Sequence, residues 1–489
     1  MRFYTALATL FIAATAQAQA PAIGDTTIKG QRYAQIEATD FLTALRTAKA
    51  GTQIEYSATA VRGPVFAPTS GLDTVRATLS LTDVIFLGEV ALSNVVFAAD
   101  FRGEHIEFRG GVSAFKTRFD ADFALKQSTS RRHTNFKQAS FAGGSDFSGS
   151  AFEQTASFIE TRFSQSTFSH ARFAGEAYFE RAAFAAEADF RDAFFEGNAQ
   201  FKNVRFNGDV DFGGARFIQR TRFWQSHFAR RALFDNARSR GEISFGKAVF
   251  SGPAHFRHIT FVHPVGFAGA EFHQPVTFAG SHFKKAVDLS GGRFHADLDL
   301  NADFKSAIDL RHSRGPHLDL LPAVDARDVQ NPDSTLTDTA RLYLQHANFA
   351  RASFRWPQLA GRLATEDSTA ADLQPVYAKL HHYLLTEGLT EDARACFAAA
   401  MEHKRRALGP ANADWYGLQL WRFTTYYGAD LSRLALFVTV CILLFSLLYR
   451  LLPGHPVRWI DGLYFSAQAF FRRSEEHTSE LQSPDHLVC

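Results

Sequence analysis

Residues 156–190 read ASFIETRFSQSTFSHARFAGEAYFERAAFAAEADF, and a ring returns at Phe158, Phe163, Phe168, Phe173, Phe179, Phe184 and Phe190. The steps are five or six residues. Two positions before each ring stands a small side chain: Ala156, Thr161, Ser166, Ala171, Ala177, Ala182 and Ala188. The residue between the two is unrestricted, as Arg172, Tyr178 and Asp189 show. In an extended chain, residues two apart point to the same side. One large and one small group therefore face inward while the middle residue faces out. A helix would need apolar returns at three and four, and an ordinary strand would not reset every five or six residues.

The beat continues in both directions. It begins at Phe136 and Phe141 and runs past Phe195, Phe217 and Phe234; Ser239 then replaces one ring, and the count resumes at Phe245 and goes on to Leu289, Phe294 and Leu300. This accounts for much of the unusual total of 50 phenylalanines in 489 residues. Five plus six makes an eleven-residue unit. The reading that fits is a coil with four short sides, roughly 20 to 22 residues per turn, stacked at the strand spacing of about 4.8 Å. Phe136 to Leu300 then gives about seven coils. Each buried ring contributes about 2 kcal/mol on an area basis, and the small partner leaves room for the neighbouring ring.

This pattern resembles the pentapeptide-repeat family in its phenylalanine-centred form. The family's central residue corresponds to Phe141, Phe147 and their successors, and its small preceding residue to Ala139 and Ser145. The resemblance covers about half the chain. It implies a mainly β fold, a right-handed quadrilateral β-helix, placed here over residues 81–312 and followed by α-helical segments. Upstream, residues 19–80 read as an N-terminal cap with lead-in strands, the amphipathic stretch 32–48 with Phe41, Leu42 and Leu45 supplying the cap. A solenoid needs its ends covered, because open strand edges invite pairing with other chains.

Both ends of the chain carry other signals. Residues 1–18 have a short basic start, an apolar core from Tyr4 to Thr15 and a small-x-small site at Ala16-Gln17-Ala18, the pattern of a secretory signal peptide. Residues 313–410 read as a helical hairpin region. There the apolar period turns helical near Asp338, Gly388 breaks the helices, and Leu373, Tyr377, Leu380 and Leu384 line one of them. Residues 411–452 combine an aromatic stretch (Trp415, Trp421, Phe423, Tyr426, Tyr427) with an uncharged run from Leu434 to Tyr449 flanked by Arg433 and Arg450. This is the pattern of an interfacial belt followed by a transmembrane helix.

Residues 453–472 include Trp459, Asp461, Leu463, Tyr464, Phe465 and Ser466. That run resembles the pore helix of a two-transmembrane potassium-type ion-channel module, as does the order of hairpin, Tyr427-Gly428, span and pore helix. The resemblance implies a homotetramer, with filter carbonyls that would strip the ion's water. The chain departs from the pattern: no filter-like sequence and no second span follow. Instead, Arg473 to Ser483 back-translates to a sequencing-adapter read, so residues 473–489 are taken as a foreign tail that cuts the module before its filter. With a signal peptide the repeats lie in the periplasm of a bacterium, and the span would present the pore segment from the cytoplasmic side. Arginines flank both ends of the span, so the charge rule does not fix orientation.

Charge is balanced, 52 Lys+Arg against 50 Asp+Glu. This argues against a nucleic-acid partner and against an acidic DNA-mimicking surface. Cys396, Cys441 and Cys489 give neither a disulfide framework nor a metal pair. His381 and His382 are adjacent and so point to different helix faces, and no metal ligand set is read from them. No catalytic motif and no cofactor fingerprint appears, so the chain is not expected to be an enzyme. Arg220, Arg222, Arg230, Arg231, Arg238 and Arg240 read as a solvated outer surface. Two functions stay open: the repeat-bearing part of an ion channel, or a structural or protein-binding solenoid on a membrane anchor, its protein partner unknown.

Overall fold

A computed structural model describes residues 24–28, 31–320, 340–364, 373–451, 460, 463, 464 and 466–468. The signal-peptide reading of residues 1–18 and the foreign-tail reading of 473–489 lie outside the described residues. The chain divides into two units, the first ending at Ala364 and the second beginning at Thr365.

The first unit is a β-solenoid of about 13 turns. Most of its strands are two residues long and hold the outward residue with one inward neighbour, either the ring, as in Ala183–Phe184, or the small residue, as in Ala188–Asp189. Four columns of strands run along the axis. Successive members pair in parallel at a stride of 22 residues, as Phe206↔Phe228, or of 21, as Phe163↔Phe184. Backbone N–H groups donate to the next coil, for example Phe190 to Asp211 O at 2.7 Å. Each five-residue step turns through a left-handed residue two places after the ring; Gln138, Glu160, His170, Arg181, Asp192 and Asn203 hold φ between 54° and 59° there. Gly149 and Gly214 take the same place, where glycine carries no Cβ cost.

Inside, the rings form four stacked columns. Phe168, Phe190 and Phe212 lie 5.0 and 4.7 Å apart between centroids, with planes 4° and 9° apart. Rings of neighbouring columns meet edge to face, as Phe190 and Phe201 do at 5.7 Å and 89°. The coil pitch thus sets a stacking distance that suits aromatic rings, and both contacts are favoured arrangements. Ala188, Ala193 and Ala199 are fully buried between them.

The solenoid runs past both expected boundaries. Upstream, Gln53–Ser57 and Thr59–Arg62 already belong to the columns, pairing with Thr78–Thr82 and Ile85–Phe86. Helix α1 (Ala38–Thr47) closes this end: Phe41, Leu42 and Leu45 are buried, and Phe41 sits 5.4 Å from Tyr56 and 5.6 Å from Phe86. Downstream, residues expected to begin the helical region form the last coil. Arg341–Tyr343 pairs with Ala307–Asp309, and Asn348–Ser353 pairs with Arg314–Asp319. The latter strand pairs with both Arg293–Phe294 and Leu298–Asp299, so one long strand spans two sides and a corner is straightened. A single helical turn at Trp356–Leu359, with Trp356 and Leu359 buried, follows the last coil.

Ser239 is the one break in the ring column between Phe217 and Phe261. Its hydroxyl donates to Gly241 O at 2.8 Å, and a cavity of about 10 Å³ remains beside it. Ile243 and Ile259, larger than the usual alanine at their positions, line that cavity and take up the missing ring's volume. Ser239→Phe alone is therefore expected to overpack the core and lower stability by about 1–3 kcal/mol. Combined with Ile259→Ala it should recover most of that loss. Urea unfolding of the four members of the cycle checks the coupling, and additive effects would contradict it.

The second unit is helical. Helices α2 (Gln374–Thr386) and α3 (Thr390–Leu408) form a hairpin around Gly388, whose φ of 73° makes the turn. Tyr377, Leu380, Leu384 and Cys396 are buried within it. Helix α4 (Ala413–Thr425) starts on Asn412, whose side chain accepts from Asp414 N, and helix α5 (Leu431–Leu451) follows. Burial pushes the Cys396 thiol up to about 12, so it acts as a small apolar residue.

Candidate functional site

Because rings fill the interior, the polar groups of the solenoid are carried mainly by its outward residues. Among the described residues, an open groove of about 910 Å³ runs along one side. It forms because the strands there are longer in the first coils: Thr78–Thr82, Phe101–Glu104 and Phe123–Lys126. Its acids are largely engaged. Arg102 meets Asp100 at 2.8 Å, Lys126 meets Asp146 at 3.0 Å, and Arg191 meets Asp189 at 2.7 Å. Asp122 accepts from Gly144 N at 2.8 Å.

Asp189 and Asp211 are register partners in successive coils. Burial raises the Asp211 carboxyl, with the Asp189 charge adding to it. For Asp189 burial acts the same way but is outweighed by hydrogen bonds from Arg191, which hold it below the usual range. The pair is ordered by the Arg191 ion pair and by backbone N–H groups of Arg191 and Gly213.

The arginines expected to be solvated divide in two. Arg220 meets Glu242 at 3.1 Å and Arg231 meets Asp209 at 2.6 Å. Arg238 stacks in register beside Arg216, so like charges adjoin on one side of the coil.

On another stretch of the solenoid, Glu271, His273 and His295 converge from two consecutive coils. Sequence reasoning missed this group. The signal was present, since His273 and His295 are separated by two eleven-residue units, one full turn of a four-sided coil.

In the helical unit, His381 contacts Phe397 at 5.7 Å and His382 contacts Tyr383 at 6.4 Å. A polar centre forms on Glu402 instead. It accepts from Arg405 at 2.8 Å, Arg406 at 3.0 Å and Tyr427 Oη at 2.9 Å, and Arg422 lies 3.3 Å away. The Arg405 hydrogen bond, with help from Tyr427 and Arg406, brings the Glu402 carboxyl down to about 2.

Of the pore-helix-like residues, Trp459, Asp461 and Phe465 lie outside the described residues. Leu463 is half-buried, Tyr464 exposed and Ser466 buried. Among the described residues, one helix segment, Leu431–Leu448, is long and apolar enough to cross a membrane, with mean hydropathy 2.4 and 6% of it buried. Leu436, Phe445 and Leu448 are more than half exposed, at 65%, 53% and 54%.

The fold defines a class: a four-sided β-solenoid with a phenylalanine core. A family model for pentapeptide repeats matches residues 150–193, 195–238, 223–271 and 245–293. All of these lie in the solenoid, whose coils over those residues are pentapeptide repeats. No curated protein and no solved structure matches the chain.

Proposed function

We propose that the chain is a non-enzymatic binding scaffold: a pentapeptide-repeat solenoid that presents its outer sides to a protein partner and is held at a bacterial membrane by helix α5. The observation that carries this reading is the exposure of the Leu431–Leu448 segment. A core helix of that hydropathy would be covered by its own protein; an uncovered one marks a membrane or partner contact, and a length that spans a bilayer favours the membrane. The neighbouring aromatics support the same reading. Trp421 is 41% and Phe423 70% exposed, and Arg433 lies 4.8 Å over Tyr426, as in a belt at the lipid–water boundary.

The test is membrane extraction. The full chain is expected in the pellet after alkaline carbonate washing. Leu436→Arg with Leu443→Arg should release it, because each arginine costs about 2.5–3.5 kcal/mol at a helix centre. Release of the unaltered chain by carbonate would refute the anchor.

The finer reading is a homotetrameric potassium-type channel carrying the solenoid in the periplasm. The run from Asp461 to Ser466 after the span supports it. It requires a filter and a second span in the complete locus, together with potassium flux in vesicles holding the completed protein. A locus encoding neither leaves the scaffold reading standing alone.

A further inference from the structure

We propose that Glu271, His273 and His295 form a binding site for a divalent transition-metal ion of the zinc type. The fold brings these donors together. Glu271–Phe272 pairs with Arg293–Phe294 in register, so the residue after each ring, His273 and then His295, stands one coil above the other. Phe272 and Phe294 stack beneath them at 5.2 Å and 4°. The backbone N–H of His273 donates to Phe250 O, and that of His295 to Phe272 O, both at 2.8 Å. Both histidines are thereby fixed to the rigid column rather than to a loop.

The imidazoles are stacked, 4.7 Å apart and 11° from parallel. Both turn Nε2 to the same atom, Glu271 Oε1, at 3.4 Å for His273 and 3.0 Å for His295. All three donor atoms lie within 4.8 Å of one another. A tetrahedral zinc with ligands at about 2.0–2.1 Å separates its ligands by roughly 3.3 Å, close to these two separations of 3.4 and 3.0 Å. Two imidazoles and one carboxylate also make a donor set of the kind borderline-soft metals take, whereas calcium and magnesium prefer all-oxygen shells.

The site faces outward. Side-chain exposure is 29% for Glu271, 43% for His273 and 50% for His295. Three protein ligands open to solvent leave a fourth position for water or for a donor from a partner, unlike the closed four-ligand structural sites. Arg293, the register partner of Glu271, brings a positive charge to the same side and limits the affinity.

The test uses the full chain in detergent, stripped of metal with a chelator and then titrated with zinc alone. One zinc ion per chain is expected, with a tetrahedral cobalt spectrum on substitution. Glu271→Gln, His273→Asn and His295→Asn should each weaken binding about tenfold or more. His312 and His346 are also stacked, at 4.9 Å, and lie outside the proposed ligand set. The double variant His312→Asn with His346→Asn should bind zinc as the parent does. Circular dichroism confirms that each variant keeps the β-solenoid. Absence of a stoichiometric ion would overturn the site. So would zinc binding that survives the triple variant, or that is lost equally in the His312/His346 control.

Discussion

Replacing Phe190 with alanine is expected to lower stability by about 3–5 kcal/mol, the upper range for a large-to-small change in a core. Phe190 is fully buried. It stacks on Phe168 and Phe212 at 5.0 and 4.7 Å and meets Phe179, Phe184 and Phe201 at 5.6, 5.9 and 5.7 Å. The walls have little freedom to collapse into the space left, because each coil is held to the next by backbone hydrogen bonds such as Phe190 N to Asp211 O. The lost ring therefore leaves a cavity as well as a transfer deficit. A solenoid joins each repeat only to its neighbours, so a weak central coil divides the array and cooperativity falls. Urea unfolding followed by circular dichroism should show a lower midpoint and a broader transition. Phe115→Ala is the comparison: this ring is half-buried, with Lys116 Nζ 5.1 Å from its centroid. If the two substitutions cost the same, stacked rings do not carry the stability.

The phenylalanine rhythm made the middle of the fold legible because one geometric need recurs in every turn. An inward pair two residues apart, reset at each corner, is visible wherever the large member is a ring. Its reach was underread where other residues fill the same position. Ile54, Val61 and Leu79 are buried in the coils that precede residue 81, but they are common strand residues and leave no distinctive beat. At the far end, Leu342 and Leu344 stand two apart, which is the strand signal. They fall in the 313–410 stretch whose apolar spacing predicts helix, and the structure makes them an inward pair of the last coil.

The candidate sites were less legible, for different reasons. The Glu271–His273–His295 group follows from the coil length once four sides and an eleven-residue unit are combined. Its histidines stand 22 residues apart, so the grouping exists across turns and not along the chain. The Glu402 centre could not be counted in this way. Glu402 and Tyr427 are joined at 2.9 Å through the return of α4 on the hairpin, and no repeat encodes that return. The pore-helix-like run is legible in sequence only, since half of its residues lie outside the described ones.

Glu402→Gln is the second substitution expected to have a large effect, about 3–5 kcal/mol on the helical unit. The Glu402 side chain is 12% exposed and is shared by Arg405, Arg406, Arg422 and Tyr427. Glutamine keeps the shape but removes the charge, leaving the Arg405 side chain, itself 13% exposed, without its counter-ion. Stability should also depend on pH through the same group. Glu402 falls from an ordinary 4.5 to about 2 in the folded chain, so its contribution is complete above about 4.5 and is lost as pH drops from there toward 2. The size of that loss is on the order of 3 kcal/mol. Tyr427 moves the other way: burial first, and then its hydrogen bond to Glu402, pushes its hydroxyl from 10.0 up to about 12. Its contribution holds below about 10 and fades as pH rises toward 12. Trp415, 5.9 Å from the Arg405 guanidinium, and Trp421, 5.9 Å from Tyr427, lie close enough to report the loss by fluorescence during thermal unfolding in detergent. Glu402→Gln should flatten the acid limb of the stability profile, and Glu402→Gln with Arg405→Met should restore much of the lost stability, since the stranded charge is gone. An acid limb that persists in the single variant would place the titrating group elsewhere. A double variant as unstable as the single one would show that Arg405 was never the charge left behind.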